Sequence, residues 1–64
     1  MDVATLAELL RETAERHHPY EQSAAEHDWS DWYAAYLNSR LEGTDSEGAY
    51  QAAGVYVERV LGAN

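Results

Sequence analysis

Apolar residues recur every three or four positions along most of this chain, and nowhere in a sustained alternation of every second position. In the first segment Val3, Leu6, Leu10, Thr13 or Ala14, and His17 fall on one line, while Glu8, Arg11, Glu12, Glu15 and Arg16 take most of the remaining surface. That spacing predicts an amphipathic helix from about Val3 to His17. Thr5-Leu6-Ala7-Glu8 has the form of a capping box, and Asp2 can play the same part nearly one turn earlier. Pro19 predicts the end of the helix, because a proline pushes the residue before it out of helical geometry.

Proline is also tolerated at a first helical position, so Pro19 predicts a second, short helix of about two turns through Tyr20 to Glu26. Asp28 is a suitable N-cap for the next segment, and Asp31 brings a negative charge to its first turn. From about Trp29 to Glu42 the residues Trp29, Trp32, Tyr33, Tyr36, Leu37 and Leu41 share one wide face, and Gly43 stops the helix. Thr44-Asp45-Ser46-Glu47 repeats the capping-box form and opens a last helix from about Asp45 to Leu61. Its stripe is Ala49, Ala53, Tyr56 or Val57, Val60 and Leu61, with alanines and Gly54 small enough for another helix to approach closely. Gly62-Ala63-Asn64 reads as a frayed end. The expected fold is all-α: a small helical bundle of three main helices plus one short helix, forming a single domain over residues 1–64.

Length changes the picture by limiting the core. A chain of 64 residues buries only roughly 60% of the surface its unfolded form exposes. Domains of that size commonly rely on a disulfide, a metal or a partner chain. There is no cysteine, which removes the disulfide and any thiolate zinc site. Oligomerisation, as a homodimer or with a partner subunit, is the expected substitute.

Charge excludes further classes. Twelve acidic against four basic residues give a net charge of −8, a field that repels a phosphate backbone, so nucleic acid is not an expected partner. The chain has no lysine, hence neither a Schiff-base residue nor a phosphate-binding P-loop. The N-terminal segment has neither the basic leader nor the unbroken apolar run of a signal peptide, and no stretch approaches the ~20 apolar residues of a membrane span. The expected location is the cytoplasm, with no membrane association.

Two groups of residues carry candidate chemistry. Glu15, His17, His18, Glu21, His27, Asp28 and Asp31 surround the Pro19 turn and the start of the aromatic helix. Of these, Glu15, His17, His18, Glu21, His27 and Asp31 form the candidate ligand set for a divalent metal such as zinc, iron or manganese. Glu15 and His18 make one Glu-x-x-His pair, and a homodimer would supply a second by symmetry, as a di-metal bundle requires. The simpler reading needs no cofactor: His17 extends the apolar stripe, His18 sits favourably at the negative end of the first helix, and the aspartates serve a helix start. The second group is the aromatic face of Trp29, Trp32, Tyr33 and Tyr36. With no phenylalanine and no isoleucine in the chain, these rings are expected to fill a core or an interface before they line a pocket. No nucleophile motif or oxyanion hole is legible around the serines, so no catalytic residue is expected.

The segment His27-Asp28-Trp29-Ser30-Asp31-Trp32-Tyr33-Ala34-Ala35-Tyr36, the upstream His17-His18 and the downstream Gly43-Thr44-Asp45-Ser46-Glu47-Gly48-Ala49 resemble a group of short acidic proteins from high-GC actinobacteria. Those proteins share a core of the form H-x-W-x-D-W-Y-A-A-Y, and some carry labels of the bleomycin-resistance and glyoxalase-like superfamily. The resemblance implies an accessory helical segment fused to, or associated with, such a domain, since a glyoxalase-like fold needs βαβββ modules and nothing here reads as strand. At Gly48 the similar proteins usually have a better helix former, and glycine costs the last helix roughly 1 kcal/mol. The leading functional expectation is a small soluble helical interaction module that self-associates or binds a partner subunit through the aromatic face. The alternatives are a metal- or small-ligand-binding protein built on His17, His18 and His27, or an accessory subunit of a glyoxalase-like or dioxygenase-type enzyme.

Overall fold

Asp2 caps the first helix, its Oδ1 accepting the Thr5 N–H at 2.8 Å. In the computed structural model of the chain, which describes residues 1–62, this helix, α1, spans Val3–Ser23. Thr5 therefore lies inside the first turn, and the earlier of the two expected caps is the one used. Ala63 and Asn64 of the expected frayed end lie outside the described residues.

Pro19 does not end α1, and the expected separate short helix is the last part of the same helix. A proline removes one backbone donor and crowds the carbonyl four residues earlier, here that of Glu15. Both Pro19 and Glu15 are exposed, so water can satisfy the freed carbonyl. Packing then holds the helix together: His17 and Tyr20, on either side of Pro19, both pack against the Trp32 ring, at 4.9 and 5.6 Å between centroids. Two i,i+4 side-chain pairs, His17–Glu21 and His18–Gln22, also straddle the proline. The helix closes where the Ala24 N–H reaches the Tyr20 carbonyl at 3.0 Å.

The second helix, α2, spans Trp29–Leu41, with Asp28 at its N-cap and Asp31 in its first turn. The Asp28 side chain makes no capping hydrogen bond. Gly43, at φ +100°, ends the helix in the region of backbone space that side chains disfavour. Its N–H reaches the Arg40 carbonyl and the Thr44 N–H reaches that of Ser39, both at 3.0 Å, satisfying two of the orphaned carbonyls. The third helix, α3, spans Ser46–Leu61 and is capped not by Thr44 of the expected capping box but by Asp45, whose Oδ1 accepts the Gly48 N–H at 2.8 Å. A Cβ at Gly48 would lie 2.7 Å from the Thr44 methyl and 3.1 Å from that same Oδ1, so the residue that lowers helix propensity also makes room for the cap.

Three helices, and no strand, are present among the described residues. The core consists of Trp32 and Tyr36 from α2 with Ala49, Ala53 and Val57 from α3, all buried. The alanines supply the close approach of α3 that the two large rings require. α1 lies against this pair through Thr13, His17 and Tyr20; the buried Thr13 hydroxyl donates to the Leu9 carbonyl at 2.7 Å. Tyr20 reaches α3, with Cε1 3.4 Å from where a Cβ at Gly54 would be. The choice left open at Tyr56 or Val57 falls to Val57, which is buried where Tyr56 is exposed, while Val60 and Leu61 of the expected α3 stripe and Leu41 of the expected α2 face are exposed, lying beyond the reach of the neighbouring helices. No described helix is long and apolar enough to cross a membrane.

A histidine pair on the aromatic core as candidate functional site

The helical repeat of α1 turns His17 toward α2, and the chain between α1 and α2 brings His27 back over it. His17 is buried and His27 half-buried. Their Nε2 atoms lie 3.0 Å apart, with the rings edge to face. His27 Nδ1 is 2.9 Å from the Ala25 carbonyl oxygen. A carbonyl only accepts, so His27 carries its hydrogen on Nδ1, and in the neutral pair its Nε2 accepts from His17 Nε2–H. His17 Nδ1 then faces Glu21 Oε1 at 3.3 Å.

Aromatic rings enclose this pair. His17 lies 4.9 Å from the Trp32 ring centroid, 5.3 Å from Tyr33 and 6.3 Å from Tyr20, while Tyr20 also meets His27 edge-on at 5.1 Å. Burial therefore holds the His17 imidazolium below the usual histidine range; the Glu21 carboxylate opposes that shift and His27 adds to it. Trp32 is wholly buried and its indole N–H has no acceptor, which leaves a polar hydrogen in the middle of the ring cluster.

The six candidate metal ligands are only partly brought together. His17, Glu21 and His27 are neighbours, but the two Nε2 atoms face each other, and Glu21 approaches the opposite nitrogen of His17. His18 is exposed on another side of α1 and pairs with Gln22 at 3.2 Å. Glu15 is exposed and takes no part. Asp31 joins His27, Glu26 and Asp28 around a cavity of about 400 Å³ whose other wall is Val57, Val60 and Leu61 of α3. Among the described residues no three histidine or acidic side chains converge as a metal centre needs.

The aromatic face divides in the same way. Trp32 and Tyr36 stack on each other in the core, 5.2 Å apart and 13° from parallel. Tyr33 is half-buried, and Trp29, which meets Tyr33 edge-on, is 64% exposed. Only Trp29 and part of Tyr33 are therefore available to a partner.

Sequence reasoning passed over a second polar cluster, at the other end of the core. The Tyr36 hydroxyl donates to Glu12 Oε2 at 2.6 Å and lies 2.8 Å from the Ser46 hydroxyl. Arg40 donates to the same Glu12 oxygen at 2.9 Å and to the Thr44 carbonyl at 2.9 Å. Hydrogen bonds from Arg40 first, and then from Tyr36, hold the Glu12 carboxyl below the usual carboxylate range. Burial, followed by the bond to Glu12, pushes the Tyr36 hydroxyl up. Glu12 lies on the polar side of the α1 pattern, and nothing in its local spacing marks it as the acid on which Tyr36 and Arg40 meet. Comparison with known protein families, curated proteins and solved structures finds no match to this chain.

Proposed function

We propose that this chain is a small helical interaction module that pairs with a second copy of itself. The observation that carries the reading is the apolar line of α1. Its inner half, Thr13 and His17, is buried against α2, whereas its outer half continues as Leu10, Leu6 and Val3 at 42%, 42% and 84% exposure. Isolated exposed leucines are ordinary on a protein surface. Here three aligned apolar side chains extend a stripe that is already a packing surface, the arrangement by which helices associate. Trp29 adds the one aromatic ring of the α2 face that remains outside the core. A core whose buried hydrophobic members are Trp32, Tyr36, Ala49, Ala53 and Val57 is small, and association would add apolar burial that the monomer lacks.

Sedimentation equilibrium of the full chain tests this. A dimer is expected at micromolar concentration, and the double substitution Leu6→Glu with Leu10→Glu should return a monomer with unchanged circular dichroism. A wild-type chain that stays monomeric and well folded at that concentration would rule self-association out.

A further inference from the structure

We propose that His17 and His27 form a one-proton latch, which holds the segment between α1 and α2 closed with at most one added proton and opens when a second proton enters. The number of hydrogens the pair can hold sets this limit. In the neutral pair His27 Nδ1–H donates to the Ala25 carbonyl, and His17 Nε2–H donates to His27 Nε2 across 3.0 Å. A first added proton goes to His17 Nδ1, where the Glu21 carboxylate at 3.3 Å offsets its charge as an ion pair. His17 is then ion-paired with Glu21 on one side, and on the other the chain of donors runs from His17 through His27 to Ala25. A second proton has only His27 Nε2 left. It would set N–H against N–H at a separation that only a hydrogen bond permits, so the rings must part.

Each element packed around the pair presents its own groups. From α1 come Glu21 and Tyr20; from the connecting segment, Glu26 and Asp28; from α2, Asp31 and Tyr33; and the α3 wall beside His27 is the apolar Val57, Val60 and Leu61. Glu21 favours a protonated His17, but no carboxylate here can relieve the clash between the two Nε2 atoms. Burial of His17 opposes even the first proton, and two sites this closely coupled titrate as a pair. When the latch opens, residues 24–28 lose their side-chain tie to α1, and the cavity that Glu26, His27 and Asp28 line changes shape. Acid would thus act on the segment beside exposed Trp29 while leaving Trp32, Tyr36 and α3 packed.

Imidazole ¹⁵N and ¹³C NMR on the full chain from about pH 8 to about pH 4.5 tests the latch. At pH 8, His17 should be the Nε2–H tautomer and His27 the Nδ1–H tautomer. On acidification the pair should take up its two protons in separate steps. Amide exchange over residues 24–28 should rise in step, ahead of exchange in α3. A second measurement uses His27→Gln, compared by slope and not by absolute stability: the fall in Tm from about pH 7 to pH 5 should become shallower, the part due to His17 burial remaining, whereas His18→Gln should leave it unchanged. Three results would overturn the proposal: His17 and His27 taking up their protons in a single step, loop exchange that ignores pH, or a stoichiometric metal whose removal changes both imidazole spectra. The wild-type NMR result stands even if His27→Gln fails to fold.

Discussion

At the scale of single residues, Trp32 has the largest share of the structure. It is wholly buried and touches rings from all three helices: His17 and Tyr20 of α1, Tyr36 of α2, and Tyr50 of α3. Trp32→Ala should cost about 3–5 kcal/mol, comparable with the roughly 3–5 kcal/mol that the core of so small a domain supplies. Urea unfolding monitored by circular dichroism should find the variant largely unfolded; a native spectrum and an unchanged melting point would show that the ring is not core. The periodic line through residues 32 and 36 put this pair on one face in the sequence, and the cap at Asp2 was legible there too, because caps and stripes are local; the cap of α3 fell on Asp45, one residue past the expected Thr44. The pairing of His17 with His27 was not. It depends on how ten residues of chain return, and no spacing rule encodes that path.

At the scale of elements, α1 is where local rules and packing part company. The Pro19 rule is right about the local cost and wrong about the outcome, because Tyr20 gains contacts with α2 and α3 only if the helix continues. Pro19→Ala should therefore be stabilising by about 1–3 kcal/mol, read as a rise in Tm of roughly 4–8 °C for each kcal/mol. A lower Tm would mean that the proline, by excluding one backbone donor, sets a bend on which the packing of Tyr20 depends. The other two helices show the converse case. The Gly43 stop and the Asp45 start agree with tertiary packing, so α2 and α3 lie within a residue of where their patterns place them.

At the scale of the whole molecule, the two polar clusters should appear as separate steps in stability against pH. His17 is held below its ordinary value of 6.5, so the unfolded chain binds that proton first and stability falls as the pH drops below about 6.5. Glu12 is held below its ordinary 4.5, which adds a further loss on the acid side of that value. Tyr36 and Tyr20 are both pushed above 10.0, by burial first. Their unfolded phenols ionise earlier, so stability falls again as the pH rises past 10. Thermal melts across this range should show a plateau between about pH 7 and pH 9 with a decline on each side. Stability that increased from pH 7 to pH 5 would contradict the His17 assignment. Glu12→Gln should shrink the acid step below 4.5, leaving the part due to Asp2, whose carboxyl the Thr5 hydrogen bonds hold below its ordinary 3.8, and leaving the step that begins near 6.5.

Read by itself, the amino-acid sequence settles what depends on neighbours three or four residues apart: helical class, the cap at Asp2, the stop at Gly43, and the line on which the buried residues of α2 and α3 lie, though not how far along each line burial extends. Its lack of cysteine and lysine likewise removes disulfides, thiolate metal ligands and Schiff-base chemistry from this chain whatever its fold. Only packing decides which half of the α1 stripe is buried, that α1 passes through Pro19, that Glu12 is the acid on which Tyr36 and Arg40 meet, and that His27 closes on His17. These outcomes have one cause. Each balances a local cost or a neutral local preference against contacts between residues far apart in the chain, and such contacts exist only once the helices have packed.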